Sequence, residues 1–368
     1  MHTKSMTNSR PFKVIVLSPP IDRSGGIGTL FRYARENFPA DVSVEFIDTR
    51  GYSRSPWSSV TKLLHAMILI TWRRITGNVD VIHLNLGRKG AAIRKLLLTA
   101  WCTYILRVPC VLQLHSSSFD SFADALNPSA RKLLVHIMNR AAKILVLGDV
   151  WRDYLISIGC NADTVQVFVM GVPDLSATRA SIAPRTDQQD SHYYVLFAGE
   201  MSERKGLPYL IEALALPGTE SVRLIAAGAG DLTQWRAFSR DVGVDNRVAL
   251  LGLVDPALIH QLMGLVDAMI LPSRAEGLPV SVLEALSSGA LAICTTAGSL
   301  SEFITDGRDS IVLASPSPAD IANGLARAIS VSTSGNISAN ARELWTSNFD
   351  ASKTTLGLAE IWINQIKV

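Results

Sequence analysis

The feature that most constrains the fold of this chain is an alternation of two kinds of segment along its 368 residues. Short apolar runs rich in Val, Ile and Leu alternate with longer amphipathic segments, which is typical of βαβ units and parallel sheets. Several of the short runs are almost continuously apolar, as expected for strands covered by helices on both faces. The alternation stops in a polar segment at residues 174–192 and then restarts. We therefore predict an α/β protein with two Rossmann-like domains.

The predicted strands set the limits of these domains. The first domain is predicted at residues 1–175, a linker at 176–192, the second domain at 193–348 and a C-terminal helix at 349–368. Ligands of such sheets bind beyond the carboxyl ends of the strands, so the residues that follow each strand are candidates for a functional site. The predicted strands are 13–18, 42–48, 79–84, 109–114, 143–147 and 164–169 in the first domain, and 193–198, 222–227, 248–251, 268–271, 291–295 and 310–313 in the second.

Composition excludes several classes of protein. Hydrophobic residues make up 48% of the chain and charged residues 18%, which excludes a disordered or collagen-like chain. No run reaches ~18 uninterrupted apolar residues, so no membrane span is expected, and the polar residues 1–10 argue against a secretion signal. None of the four cysteines has metal-ligand spacing, so we expect reduced thiols in a cytoplasmic protein. These cysteines are Cys102, Cys110, Cys160 and Cys294.

The charge is unevenly distributed. Residues 1–178 contain 21 Lys and Arg and 12 Asp and Glu, a net charge of +9, whereas residues 179–368 contain 14 and 20, a net charge of −6. Two segments of the first half, Lys62 to Arg74 and Arg88 to Arg107, combine cations with long apolar runs. Packing on a buried sheet is the ordinary explanation, and a helix at the anionic inner face of the plasma membrane is the alternative. Nucleic acid is not a predicted partner, because no recognised binding module accompanies the charge.

The strongest functional signal is the segment at residues 276–289, Glu-Gly-Leu-Pro-Val-Ser-Val-Leu-Glu-Ala-Leu-Ser-Ser-Gly. A helix that starts at its proline leaves the amides of Val280 and Ser281 free, and with the helix dipole they can hold a diphosphate. Glu284 lies on the same face and can accept hydrogen bonds from ribose hydroxyls. Glu276 precedes the turn, where it can hold sugar hydroxyls. An ordinary helix with one exposed Glu is the alternative.

This segment resembles the Glu-x7-Glu motif of retaining glycosyltransferases of family 4, which have the GT-B fold. The other matching elements occur in the order of that family, and the resemblance covers nearly the whole chain. It implies two Rossmann-like domains facing each other across a cleft, with the C-terminal helix crossing back to the first domain. It also implies that the second domain binds a nucleotide-diphosphate sugar and the first a hydroxyl acceptor, with no metal and no resident cofactor.

Residues 197–206, Phe-Ala-Gly-Glu-Met-Ser-Glu-Arg-Lys-Gly, resemble the strand, loop and helix that open the second domain of the family. There a lysine before the glycine binds the donor phosphates, and by position this is Lys205. The family usually has an arginine directly after the first glycine, where this chain has Glu200. The neighbouring Arg204 is the candidate to supply the missing positive charge.

The resemblance adds three more donor-binding candidates in the second half. Gly228 belongs to the glycine-rich turn after the next predicted strand. Leu253 belongs to the segment that lies against the nucleotide base, and Leu278 to the start of the helix described above. The resemblance does not identify the base.

Three candidate residues come from the first half. Gly26 and Gly28 belong to a loop after the first predicted strand, ahead of a helix predicted at residues 29–37, and resemble the family's Gly-Gly loop. A purely structural glycine turn is the alternative. His115 follows the strand at 109–114; a structural histidine is the ordinary explanation, and the resemblance implies contact with the donor sugar and phosphate.

The predicted activity is therefore sugar transfer with retention of anomeric configuration, and the catalytic candidates are His115, Glu276 and Lys205. The acceptor implied by the resemblance is a glycan or lipid-linked saccharide of bacterial surface polysaccharide or lipopolysaccharide synthesis. Two alternatives stay open. A non-hydrolysing sugar-nucleotide 2-epimerase would need acid and base groups around the sugar and no acceptor. A non-catalytic nucleotide-sugar-binding protein is kept open by Glu200.

Overall fold

The computed structural model describes residues 10–21, 25–48, 56–87, 89–181, 192–331 and 336–365. Contacts divide the chain into two compact units. The first comprises Met1–Met170 together with Ser352–Val368, and the second comprises Gly171–Ala351.

The first unit is a six-stranded parallel sheet in the order β2-β1-β3-β4-β5-β6. Most residues of the central strands are fully buried, because helices cover both faces of the sheet. The strands are β1 (Phe12–Ser18), β2 (Val42–Asp48), β3 (Val81–Leu86), β4 (Cys110–Leu114), β5 (Lys143–Val146) and β6 (Val165–Val167). The helices are α1 (Gly26–Arg35), α2 (Pro56–Ile75), α3 (Lys89–Ala100), α4 (Phe119–Asp124), α5 (Pro128–Met138), α6 (Asp149–Ser157) and, from the end of the chain, α14 (Ala351–Asn364).

The C-terminal helix packs on the first unit, as predicted. The indole Nε1 of Trp362 on α14 donates a hydrogen bond to Nδ1 of His83 on β3 at 3.1 Å. The His83 ring also packs edge-on against Phe31 of α1, with ring centroids 5.5 Å apart. Trp362, His83 and Phe31 are all fully buried, so α1 and α14 cover the same region of the sheet.

The second unit is also a six-stranded parallel sheet, in the order β12-β11-β10-β7-β8-β9. Its strands are β7 (Tyr193–Ala198), β8 (Val222–Ala227), β9 (Val248–Gly252), β10 (Ala268–Leu271), β11 (Leu291–Thr295) and β12 (Ile311–Leu313). Its helices are α7 (Ser176–Ala180), α8 (Leu207–Ala213), α9 (Leu232–Asp241), α10 (Pro256–Leu265), α11 (Val280–Ser288), α12 (Pro318–Val331) and α13 (Asn336–Asn348).

The two predicted Rossmann-like sheets are confirmed, and every predicted strand occurs within two residues of its expected limits. The segment predicted as a linker differs. Ser176–Ala180 form α7, and Arg179 of this helix donates a hydrogen bond to the backbone oxygen of Met263 on α10 at 3.0 Å. Residues 182–191 lie outside the described residues. The helix predicted at 29–37 begins earlier, at Gly26, so the two candidate glycines lie in the first turn of α1 rather than in a loop.

Candidate functional site

Most of the residues predicted to bind the donor lie at one edge of the second sheet, at the carboxyl ends of its strands. From β7 the chain continues to β8 and β9 on one side and later to β10, β11 and β12 on the other. The carboxyl ends of β7 and β10 therefore form a topological switch point, where ligands of such sheets bind. Lys205 follows β7, and Glu276 follows β10. The sequence thus places a cation and a carboxylate on the two sides of the switch point.

Lys205 and Glu276 form an ion pair across the switch point. Nζ of Lys205 lies 2.6 Å from Oε1 of Glu276, and the two side chains are 14% and 9% exposed. A short, largely buried pair is screened little by solvent, so each charge holds the other in a defined position. The pairing puts the lysine ammonium at the edge of the sheet, within reach of a ligand there.

Arg204 supports this pair from the loop after β7. Its guanidinium contacts Oε2 of Glu200 at 3.0 Å, Oε1 of Glu276 at 3.5 Å and the backbone oxygen of Ala275 at 3.1 Å. The arginine is therefore held by two carboxylates, and Glu200 is one of them. The four side chains Lys205, Arg204, Glu276 and Glu200 carry no net charge together, so an anion must find additional donors nearby.

Two glycines allow the turns around these side chains to approach closely. Gly228 follows β8 with φ +150°, and a Cβ there would lie 1.8 Å from the backbone oxygen of Gly199. A Cβ on Gly298, with φ +73°, would lie 2.2 Å from the backbone oxygen of Glu276. Only glycine fits either position. Gly228 thus supports the turn that leads to Lys205, and Gly298 supports the turn that carries Glu276.

Helix α11 supplies the additional donors. Pro279 is its N-cap, one residue before the helix rather than within its first turn, and no side chain caps this end. The first amides bonded to Pro279 are those of Val282 and Leu283, so the amides of Val280 and Ser281 have no acceptor within the helix. Together with the dipole they make a site that favours an anion.

Glu284 lies one turn further along α11. It is 7% exposed, and its Oε1 lies 3.6 Å from Nε2 of His260 on α10. His260 was not predicted from the sequence, because its distance from Glu284 depends on how α10 and α11 pack. Gly289 ends the helix at φ 75°, as expected of a left-handed C-cap.

The two leucine candidates differ in exposure. Leu253, directly after β9, is 64% exposed, and Leu278, just before α11, is partly buried. Leu253 is thus an apolar surface at the same edge of the sheet as Gly228, since β8 and β9 are neighbours. An exposed apolar side chain at a strand end can cover a flat ring such as a nucleotide base.

The first unit holds the other candidates. His115 follows β4 and is partly buried, and its Nε2 lies 2.9 Å from Oδ1 of Asn85 on β3. Burial lowers the pKa of His115 to about 4, so its ring is neutral at pH 7. In α1, Gly26 is exposed and Gly28 is buried. Asn85 is a further residue that the sequence analysis missed, and its position two residues after a buried histidine on the same strand face is the signal that could have indicated it.

The edge of the second sheet can therefore hold an anionic, hydroxyl-bearing ligand. A lysine, an arginine and two helix amides are suited to a diphosphate, and Glu284 is suited to hydroxyl groups. Within the part of the chain that the structure describes, no group of three or more His, Cys, Asp or Glu side chains could hold a metal ion.

Comparisons with known proteins relate the second unit to glycosyltransferases. The family model described as "Glycosyl transferases group 1" matches residues 192–330. An alpha-D-kanosaminyltransferase of Streptomyces kanamyceticus is 25% identical over 82% of this chain and 81% of its own length. An uncharacterized glycosyltransferase of Methanocaldococcus jannaschii is 24% identical over 62% of this chain, and the match spans 62% of that relative.

A solved structure resembles this chain over nearly its whole length. Anabaena Alr3699/HepE, in complex with UDP-glucose, superposes with a TM-score of 0.72 at 19% identity, covering 95% of this chain and 98% of that chain. This likeness shows the two-domain GT-B fold. The narrower assignment to the retaining family 4 stays a prediction. The second unit of this chain matches the family of glycosyl transferases group 1, and the relatives that align with the chain are glycosyltransferases by name.

Proposed function

We propose that this chain is a retaining glycosyltransferase that uses a nucleotide-diphosphate sugar and a hydroxyl acceptor. The observation that carries the proposal is the Lys205–Glu276 pair beside the free amides of α11, at the switch point of the second sheet. That the Anabaena neighbour was solved with UDP-glucose supports a nucleotide sugar as the donor.

In this proposal the second unit stabilises the leaving diphosphate. The bond between the anomeric carbon and the phosphate oxygen breaks, and its electron pair leaves with the nucleoside diphosphate. Lys205, Arg204 and the amides of Val280 and Ser281 stabilise the growing negative charge. The acceptor oxygen bonds to the anomeric carbon on the same face, and its proton passes to the departing phosphate. Lys205 and Glu276 are the catalytic candidates of this unit, and Glu284 holds the ribose hydroxyls.

A binding screen tests the donor site. UDP-, GDP- and ADP-sugars are added in turn, and the melting temperature of the protein is measured; one base class should raise it. Losing a charge-assisted phosphate contact costs about 1.5–3 kcal/mol, so Lys205→Met should weaken donor binding by roughly 10- to 100-fold. Glu284→Ala should also weaken it. Arg308→Met is the matched control, because Arg308 is exposed and lies at the amino end of β12, whereas the site lies at the carboxyl ends of the strands.

The reaction itself is tested with the base class that binds. Proton NMR of the product should show the same anomeric configuration as the donor, and donor should be consumed much faster when an acceptor is present. Consumption without an acceptor, with appearance of a 2-epimer, would instead identify the epimerase. Unchanged donor affinity in both site variants would refute the site assignment.

We also propose that the acceptor is a lipid-linked saccharide of bacterial surface polysaccharide synthesis, reached by peripheral binding to an anionic membrane. The first observation is an apolar stripe on α2. Its members follow at spacings of four, four, four and three residues, which puts them on one face of the helix. They are Val60, Leu64, Ile68, Trp72 and Ile75, between 47% and 74% exposed.

Neighbouring helices continue this surface. Nε1 of Trp101, in the π-helical turn that ends α3, donates to Oγ1 of Thr71 on α2 at 3.3 Å. The hydroxyl of Tyr104 in the same turn lies 2.7 Å from Nε2 of His136 on α5. Exposed apolar residues on these elements are Ile93, Leu97, Tyr104, Ile105 and Leu133. Contacts thus connect α2, α3 and α5, and each of the three exposes large apolar side chains, which indicates an interaction site on this side of the first unit.

The charge of this surface favours an anionic bilayer. Helices α2, α3 and α5 contain no Asp or Glu, and Arg74, Arg107, Lys132 and Arg140 are exposed on or beside them. A helix with apolar residues on one face and cations around them binds at the surface of anionic lipids. Among the described residues no helix is long and apolar enough to cross a membrane.

Flotation with liposomes tests the membrane proposal. The protein should float with vesicles containing phosphatidylglycerol at low salt and should stay behind with neutral phosphatidylcholine vesicles. Ile68→Glu should abolish flotation, whereas Leu356→Glu, at a 49% exposed site on α14, should not. A dimer in size-exclusion chromatography that Ile68→Glu dissociates, with no flotation of the wild type, would assign the surface to a second copy instead.

A further inference from the structure

The first sheet has its own switch point, between β1 and β3, and buried polar side chains meet there. Strand β1 pairs with β2 on one side and β3 on the other, and Leu17 is its next-to-last residue. Asn85 of β3 and Lys95 of α3 are 4% and 6% exposed, and both contact the backbone of Leu17. Burying a lysine costs free energy that an apolar side chain of similar size avoids, so an amine here indicates a role other than stability.

The hydrogen bonds to Leu17 fix the orientation of the Asn85 amide. The carbonyl oxygen of Leu17 accepts one from Nζ of Lys95 at 2.6 Å and one from Nδ2 of Asn85 at 3.4 Å. Because a carbonyl oxygen can only accept, the NH2 group of Asn85 points to Leu17 and its Oδ1 points away. Lys95 holds the same carbonyl in place from α3.

This orientation determines which nitrogen of His115 carries hydrogen. Oδ1 of Asn85 lies 2.9 Å from Nε2 of His115, and since Oδ1 can only accept, Nε2 must donate. Burial lowers the pKa of the ring to about 4, so near pH 7 the ring is neutral and this is its single hydrogen. Nδ1 is then a hydrogen-bond acceptor.

We propose that Asn85 and Lys95 are positioning residues that hold His115 as a neutral acceptor, whose Nδ1 takes a hydrogen bond from a hydroxyl group of a bound saccharide. This rests on the proposed function, which makes a saccharide the ligand. The resemblance implied that His115 contacts the donor sugar and phosphate. A neutral acceptor does not stabilise a phosphate, so the proposal keeps only a saccharide contact and adds the two residues that orient the ring.

NMR of the full chain labelled with 15N-histidine tests the tautomer directly. The chain contains seven histidines, and the signals of His115 are assigned by their loss in His115→Gln. The expected result at pH 7 is one hydrogen on Nε2 and an unprotonated Nδ1. A hydrogen on Nδ1, or a charged ring, overturns the proposal. This readout does not depend on activity, so it stands even if the donor screen fails.

Two variants of Asn85 test the positioning role. Asn85→Asp still offers an oxygen to Nε2, but its carboxylate favours the charged ring. It should keep the hydrogen on Nε2, raise the pKa of His115 and lower kcat near pH 7, because Nδ1 of a charged ring cannot accept. Asn85→Leu removes that acceptor and should give a mixture of tautomers. It should lower kcat by about 10- to 100-fold, the size of effect known for partners that orient metal-bound histidines, with little change in donor KM. If Asn85→Leu keeps the tautomer and kcat of the wild type, Asn85 is only a packing residue. If Asn85→Leu does not fold, the wild-type tautomer and Asn85→Asp still decide.

Discussion

Replacing the buried amine of Lys95 by methionine should make the protein more stable, and more so at pH 6 than at pH 9. Burial, with the charge of Arg94 as a smaller cause, lowers the pKa of Lys95 from 10.5 to about 7. Between those values the unfolded chain binds a proton that the folded chain does not, so stability rises with pH by about 1.4 kcal/mol per pH unit. Below pH 7 the folded protein carries the buried charge and its full penalty.

The size of the effect follows from the two pKa values. Between pH 6 and pH 9 the wild type should gain about 2–3 kcal/mol from this group, and Lys95→Met, which cannot titrate, should gain none. The lost hydrogen bond to Leu17 removes about 1 kcal/mol from the variant at both pH values. The stabilising effect of the substitution should therefore shrink by about 2–3 kcal/mol from pH 6 to pH 9.

Urea unfolding at the two pH values, followed by tryptophan fluorescence, measures this difference. Lys132→Met, at an exposed lysine of α5, is the control and should change stability equally at both pH values. If Lys95→Met changes the unfolding free energy by the same amount at pH 6 and at pH 9, the reasoning is refuted, because the amine then keeps an ordinary pKa in the folded protein.

Three further predictions concern the glycine turn and the buried histidine. Gly228→Ala should lower the melting temperature and abolish donor binding, because its Cβ would meet the oxygen of Gly199 at 1.8 Å; an unchanged melting curve would contradict the turn geometry. Trp362→Phe removes the hydrogen bond to His83 and should cost about 1–3 kcal/mol of unfolding free energy; no loss in urea unfolding would count against the packing of α14 on the first unit. Burial lowers the pKa of His83 to about 3, so the stability that this residue contributes is present above pH 6.5 and is lost as the pH falls. Between pH 7 and pH 5 the wild type should lose about 2 kcal/mol of unfolding free energy relative to His83→Leu. Parallel curves of unfolding free energy against pH for the two proteins would contradict this.

Strand positions could be predicted because a strand covered on both faces must be continuously apolar. The runs around Val14, Leu112 and Ile270 show this pattern, and each is buried in the structure. Helix α13 was not predicted, since its polar sequence around Asn340 lacks a clear apolar stripe and its place depends on Ala341 and Trp345 packing on the rest of the second unit.

The features of the candidate site that depend only on residues adjacent in the sequence could be predicted. The free amides of Val280 and Ser281 follow from the position of a proline, whatever the rest of the fold does. Contacts between distant segments could not be predicted. The spacing of Asn85 from His83 puts both on one face of a strand, but it does not reveal the partner His115. The bond of Asn85 to His115 and the distance of His260 to Glu284 depend on strand register and helix packing.

The central claim is that a sugar donor's diphosphate binds at the start of α11. Amide hydrogen exchange of the full chain, measured with and without a saturating nucleotide-diphosphate sugar of the base class found in the screen, tests this most directly. The amides of Val280 and Ser281 lack acceptors within the helix and should exchange fast in the free protein and slowly in the complex. Protection confined to other segments, with these two amides still exchanging fast at saturation, would contradict the account.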